Sequence, residues 1–192
     1  MIFEIFGLPG TGKTTTLTAI AQNILNGKSF LDIGKHEKVF TSFYCKGCYK
    51  LDPNDLSKYD YTDSLVLIDE ISLYFDNRDF KNFGSDFLYF FKLHRHYNID
   101  LVWCSQGHSD ADKKIRDITD TCYLLENSRL PHFSVLKKIY HNYSFQNRQI
   151  TDTYDLASRF EWKYINRKKY YKYFDSYEKK KLLKLEKLEV WE

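Results

Sequence analysis

Two segments of the sequence carry residues whose types and spacing can do chemistry on a phosphate chain. The first is Gly7-Leu8-Pro9-Gly10-Thr11-Gly12-Lys13-Thr14, which fits the P-loop pattern G-x-x-x-x-G-K-[ST]. Glycines in such a loop let backbone N–H groups turn toward phosphate oxygens, and the N-terminus of the following helix adds its dipole. Lys13 would reach the β- and γ-phosphates of ATP, and the Thr14 hydroxyl would bind Mg²⁺. Residues 7–14, with Thr15 opening the helix, form the candidate nucleotide-binding set. The second segment is Leu65-Val66-Leu67-Ile68-Asp69-Glu70, with the form of a Walker B strand. Four apolar residues deliver a carboxylate to the C-terminal edge of a sheet, where Asp69 would hold the Mg²⁺ shell. Glu70 would orient and activate the attacking water. Asp-Glu after a strand also reads as a helix cap with a first-turn acid, and the upstream P-loop favours the catalytic reading. Many phosphoryl-transferring kinases do without the second carboxylate, so Glu70 points toward hydrolysis.

Further candidates lie downstream. Gln106 follows an apolar run and can sense the γ-phosphate, or it can cap the next helix. Arg116 can be an arginine finger supplied to a neighbouring subunit, or it can pair with Asp112 or Asp120 at helical spacing. In His94-Arg95-His96 the cations suit the last turn of a helix, and Arg95 is the second candidate finger. Cys45 and Cys48 form a lone C-x-x-C. A zinc site needs four ligands; His36 can supply one more, and Cys104 and Cys122 fall in apolar, strand-like runs. A loop with two thiols is the simpler reading.

These side chains need a scaffold. Met1 to Phe6 reads as a buried strand before the glycine loop, and Thr15 to Leu25 as a helix with Leu17, Ile20, Ala21, Ile24 and Leu25 on one face. Asn26-Gly27 stops it. Lys38 to Tyr44 reads as a second strand, Asp52 to Asp55 as a turn or helix start, and Leu65 to Ile68 as a central parallel strand. Phe80, Phe83, Phe87, Phe90, Leu93 and Tyr97 form a helical stripe that ends at His94-Arg95-His96. Ile99 to Ser105 is a strand, about 110–118 a short helix, and Cys122 to Leu125 a strand. Alternation of this kind implies a parallel sheet. After about residue 130, Phe133, Val135, Ile139, Tyr143 and Phe145 suggest a hairpin or edge strands, and Lys169 to Phe174 one more strand. The tail, 177–192, is charged and helix-prone, with Leu182, Leu185 and Leu188 along one side; it reads as a docking helix or a simple packing helix. The expectation is an α/β, three-layer P-loop NTPase with a mainly parallel sheet and C-terminal β additions, its domain spanning residues 1–176.

Composition agrees. At 192 residues, 43% hydrophobic and 18% aromatic, the chain suits one globular domain. A net charge of +3 is too small to argue nucleic-acid binding by itself. No uncharged apolar run approaches the roughly 18 residues of a membrane span, and the first residues lack a signal peptide's basic region. A cytosolic chain with reduced cysteines is expected.

The motifs together resemble a family, the Zot (zonular occludens toxin-like) ATPases, which include the gene I assembly proteins of filamentous phages. The matching pieces are the glycine loop at residues 7–14, Leu67-Ile68-Asp69-Glu70, His94-Arg95-His96-Tyr97, Ser105-Gln106, Lys114-Ile115-Arg116 and Tyr173-Phe174-Asp175-Ser176-Tyr177. The last is similar to the closing strand of such domains. The resemblance implies a RecA-like, additional-strand P-loop fold with a catalytic glutamate, related to the DNA-pumping ATPases of the FtsK/HerA group. It implies ATP hydrolysis coupled to moving or extruding phage DNA, usually by a homo-oligomeric ring, in the host cytoplasm or at the inner membrane through a membrane-anchored phage or host partner. Family members often continue into a transmembrane helix and a periplasmic domain. Since this sequence holds neither, it is expected to be a cytosolic fragment or to rely on a separate anchor.

Two other function classes compete with the motor: a small P-loop kinase, against which Glu70 and the absence of an Arg-rich lid argue, and a slowly hydrolysing switch or scaffold. Arg167-Lys168-Lys169, Lys172 and Lys179-Lys180-Lys181, interleaved with Tyr164, Tyr170, Tyr171 and Tyr173, can neutralise phosphates and stack on bases. A solvated surface in an aromatic-rich chain has the same composition.

Overall fold

The structure, a computed structural model, describes residues 1–75, 85–146 and 149–175. Its scaffold is a nine-stranded sheet. In chain order the elements are β1 (Ile2–Phe6), α1 (Lys13–Leu25), β2 (Lys38–Thr41), β3 (Tyr49–Lys50), β4 (Ser64–Ile68), α2 (Ser85–Leu93), β5 (Asp100–Ser105), α3 (Lys113–Asp117), β6 (Thr121–Asn127), β7 (Phe133–Gln146), β8 (Gln149–Leu156) and β9 (Lys163–Asn166). The strand order is β3-β2-β4-β5-β1-β6-β7-β8. Strands β1 to β6 run parallel, and β6 to β9 pair antiparallel through the long β7. Thus β5 lies between the strand that feeds the glycine loop and the strand that ends in Asp69, which is the additional-strand arrangement.

The central strands are buried throughout because successive side chains point to opposite faces of the sheet and both faces are covered. Phe3 and Ile5, Leu65 and Leu67, Val102 and Cys104 pack on the α1 side with Leu17, Ile20, Ala21 and Ile24. Ile2, Val66, Ile68, Leu101 and Trp103 face the other way, onto Phe91 of α2 and Ile115 of α3. Three layers result, with α1 buried along most of its length. Gly27, at φ 69°, ends α1.

Several elements depart from the sequence expectation. Lys169 to Phe174 is not a strand. It forms two 3₁₀ turns, Arg167–Lys169 and Tyr171–Tyr173, and Phe174 makes an isolated bridge to Cys45, outside the named strands. The buried or partly buried aromatics there are Tyr170, Tyr173 and Phe174, a spacing of three and four that suits a helical turn better than a strand. Strands β3 and β9 carry no readable alternation, and β2 stops at Thr41, short of Tyr44. On α2 the residue driven into the core is Phe91, with Phe87 and Phe90 partly buried, while Leu93 and Tyr97 are exposed. The helix ends at Leu93, so His94-Arg95-His96 lie in the turn beyond it, closed by Ile99 N donating to His94 O and by Asn98 at φ 50°. Phe80, Phe83 and the 177–192 tail lie outside the described residues, as do the side chains of Tyr143 and Phe145.

Candidate functional site

The glycine loop joins β1 to α1 at the C-terminal edge of the sheet. Two of its glycines are required by what surrounds them. A Cβ on Gly7 would stand 2.3 Å from the Leu125 carbonyl oxygen of β6, so the loop can leave the sheet here only without a side chain. Gly12 has φ 93°, and a Cβ there would meet Arg167 Cδ at 2.8 Å. No side chain caps α1, which leaves the first N–H groups of α1 for an anion. Lys13 Nζ donates to the Gly7 and Leu8 carbonyls at 2.7 and 3.4 Å, folded back over the loop. Thr11 Oγ1 donates to Leu8 O at 2.8 Å.

The second segment meets the first. Thr14 Oγ1 donates to Asp69 Oδ2 at 2.9 Å. Asp69 is buried, and its N–H donates to Ser42 Oγ, just past β2, at 2.8 Å. A hydroxyl and a buried carboxylate at this separation form a hard-oxygen pair of the kind Mg²⁺ takes with phosphates. Glu70 stands next, half-buried, in the left-handed region at φ 57° and ψ 69°. It precedes the 3₁₀ turn Ile71–Leu73, where its carboxylate accepts from Ser72 Oγ at 3.4 Å and makes no side-chain cap to the backbone. Left-handed backbone at a non-glycine residue is costly and gathers at functional sites. Exposed Gln106, just after β5, lines the same cleft; α3 is capped by Asp112, whose carboxylate accepts from Lys114 N at 2.7 Å. The cleft of about 670 Å³ is lined by Pro9, Gly10, Gly12 to Thr15, Asp69, Glu70, Leu73, Gln106, Arg167, Tyr171 and Phe174.

The two candidate fingers are elsewhere. Arg95 pairs with Asp120, which also accepts from Ile2 N at 2.7 Å. That is the end of β1 away from the glycine loop. Arg116 lines a separate cavity with His108, Cys122 and Tyr140. Among the described residues it pairs with neither Asp112 nor Asp120, and its Nε is buried without a partner.

Among the described residues, Arg167 is the arginine beside the glycine loop, although in the sequence it is one of a run of basic residues. Its Nη1 donates to Gly10 O at 3.1 Å and to Asn127 Oδ1 at 3.2 Å. Ser134 on β7 donates to Thr11 O at 2.5 Å. The antiparallel part of the sheet therefore holds the loop from behind. No sequence signal marks either residue, because the contacts span more than 120 positions. Tyr170 is buried, its hydroxyl accepting from Asn23 at 3.3 Å, so this tyrosine cannot stack on a base.

Among the described residues, Cys45 and Cys48 are not joined by further metal-ligating side chains. His36 Nε2 lies 2.9 Å from Asp100 Oδ2 and is used there. Cys45 and Cys48 form a tight turn, Cys48 N donating to Cys45 O at 3.1 Å. The Cys48 thiol donates to Cys45, which holds Cys45 below its ordinary pKa and Cys48 above its own. Among the described residues, the His, Cys and carboxylate side chains that do gather are Glu4, His108 and Cys122. Glu4 Oε2 accepts from Cys122 Sγ at 3.2 Å and lies 2.7 Å from His108 Nδ1. Burial and the Glu4 carboxylate push the Cys122 thiol up.

Comparison with known proteins agrees with this architecture. The N-terminal domain of zonular occludens toxin from Neisseria meningitidis superposes with a TM-score of 0.58 at 17% identity, over 91% of this chain and 98% of that one. The genome packaging NTPase B204 from Sulfolobus turreted icosahedral virus 2, in complex with AMPPCP, gives 0.50 at 12% identity, over 79% of this chain and 95% of that one. At such identities the likeness concerns the fold, a RecA-like P-loop α/β domain. No curated protein sequence matches the chain. Among the described residues no helix is long and apolar enough to cross a membrane. The family model for zonular occludens toxin (Zot) matches residues 52–181, a span that begins after the glycine loop and contains Asp69, Glu70, Gln106 and Arg167. With well over half of its length matched by that model, the chain belongs to the Zot family.

Proposed function

We propose that the protein is a Mg²⁺-dependent ATPase that powers movement of DNA during phage or virus assembly, by packaging or by extrusion. The observation that carries the reading is the meeting of Thr14 with Asp69 at 2.9 Å in one cleft with Lys13, Glu70 and Gln106. The residues have distinct tasks. Lys13 exchanges its two carbonyl acceptors for phosphate oxygens. Thr14 and Asp69 would hold Mg²⁺, which supplies charge neutralisation on the phosphates. Glu70 accepts a proton from the attacking water, and Gln106 reports the loss of the γ-phosphate to the loop that follows β5. A kinase needs an acceptor pocket and a lid, and a carboxylate poised for water would compete with transfer.

The motor assignment draws on family membership and on the fold shared with a genome packaging NTPase. In this reading the chain works as a ring, in the host cytoplasm or held at the membrane by a partner, and Arg116 or Arg95 completes a neighbour's site. ATP turnover measured with and without single- and double-stranded DNA tests it. A motor shows DNA-stimulated turnover that rises per chain with protein concentration, and an Arg116→Ala chain that poisons wild type on mixing. Slow turnover unaffected by DNA, from a monomer at every concentration, would leave the switch reading instead.

A further inference from the structure

The strap that follows β9 does something the basic composition of residues 167–174 does not suggest. It turns back across the mouth of the cleft. Arg167 N donates to His132 O at 2.9 Å, and Tyr170 N to Arg167 O at 3.0 Å. Tyr170 is anchored in the core beneath α1. Lys46 N donates to Tyr173 O at 2.8 Å, and Phe174 bridges Cys45. The strap is thus fixed at both ends, and three of its side chains, Arg167, Tyr171 and Phe174, line the cleft.

Their chemistry differs from that of the opposite flank. Thr14, Asp69, Glu70 and Gln106 mark the hydrolytic end. The strap borders the loop at Gly10 and Gly12 and offers a guanidinium and two aromatic rings. Arg167 keeps only part of its donor capacity busy. Nη1 serves Gly10 O and Asn127 Oδ1, and Nε is buried without a hydrogen-bond partner. A buried, unpaired guanidinium N–H beside an anion-binding loop calls for an anionic acceptor. Tyr171 is 47% exposed although its ring faces the cleft, and it stands edge-on to Phe174 at 6.4 Å between centroids. Such a pair presents a π surface of the kind that stacks on a base.

We propose that this strap is the second half of the nucleotide site. Arg167 binds a phosphate oxygen within the same chain, and Tyr171 with Phe174 packs against the purine ring. The inference rests on the reading of the cleft as an ATP site and extends it to residues outside the P-loop and Walker B segments. It moves Arg167 and Tyr171 from a DNA surface to nucleotide recognition. Arg167 then acts in cis, unlike a finger supplied by a neighbour.

The test compares binding of ATPγS and inorganic tripolyphosphate, both with Mg²⁺, by calorimetry on the full chain. Tripolyphosphate has the charge of the nucleotide without its base. Tyr171→Ala should weaken ATPγS about tenfold and leave tripolyphosphate unchanged. Arg167→Ala should weaken both ligands about tenfold or more, and Arg167→Lys should recover part of the loss. Since Arg167 also braces the loop, Tyr171→Ala carries the proposal if Arg167→Ala misfolds. Lys13→Ala is the reference. If Lys13→Ala binds both ligands normally, the ATP reading of the cleft is wrong. If Lys13→Ala loses both while Tyr171→Ala and Arg167→Ala match wild type, the strap proposal alone is overturned. Loss of single-stranded DNA binding in Tyr171→Ala, with ATPγS affinity intact, would also overturn it and make the strap a DNA surface.

Discussion

Substitution of Glu70 separates its chemistry from its structural role. Glu70→Gln keeps the shape of the side chain and removes its charge. If Glu70 is the general base, turnover should fall about 10²- to 10⁴-fold, a barrier increase of roughly 3–5 kcal/mol. ATP affinity should stay within about twofold, because the Lys13 and Thr14 contacts are untouched. The backbone supplies a second, independent number. Glu70 sits at φ 57° and makes no side-chain cap. Left-handed backbone costs a non-glycine residue roughly 1–2 kcal/mol, and glycine returns about 0.5–1 kcal/mol of that through its extra freedom when unfolded. Glu70→Gly should therefore leave the protein unchanged or make it more stable by up to about 1.5 kcal/mol, a rise in Tm of at most roughly 3–6 °C for a chain of this size. Phosphate release by the Gln variant and urea unfolding of the Gly variant are the assays. Turnover of Glu70→Gln within about threefold of wild type would refute the catalytic role. A Glu70→Gly chain less stable by more than about 1 kcal/mol would show that the carboxylate is structural.

Two further outcomes follow from the same geometry. Asp69→Asn should raise the Mg²⁺ concentration needed for half-maximal hydrolysis by at least about tenfold, with nucleotide bound still; a metal titration of the rate reads this directly. Asp100 should shape acid stability. Burial pushes its carboxyl up, but His36, the terminal ammonium and the Gly34 N–H outweigh this and hold it at about 2. A depressed carboxylate contributes stability above its unfolded pKa, near 4, and loses it as pH falls toward 2. The free energy of unfolding, followed from pH 5 to 2, should fall more steeply in wild type than in Asp100→Asn, with a full contribution of at most about 2.5 kcal/mol.

What was legible in the sequence was local. The glycine loop and Leu65 to Glu70 each carry a strand, a turn and a chemical group within eight residues, so their elements and edge positions were readable. The order of strands was legible only through the family resemblance, since nothing in Asp100 to Ser105 says that it inserts between β1 and β4. Long-range contacts were not legible. Arg167 touches Gly10 across 157 positions, and Ser134 touches Thr11 across 123. Composition alone made Arg167 one more cation in a basic run. Lys169 to Phe174 misled because aromatic density mimics a strand, whereas the positions that pack are Tyr170, Tyr173 and Phe174. His36 seemed available to the cysteines until Asp100, 64 residues away, took its ring nitrogen.

Mg²⁺-dependent phosphate release from ATP, measured side by side for wild type and Lys13→Ala, tests the central claim most directly. Lys13 reaches over the glycine loop to the Gly7 and Leu8 carbonyls, and its charge is the one the phosphates would use. Wild type should release phosphate with Mg²⁺ and not with chelator, and Lys13→Ala should fold normally yet bind and turn over ATP poorly. No release by wild type at any protein or DNA concentration, or release unaffected by Lys13→Ala, would contradict the assignment of this cleft as an ATPase site.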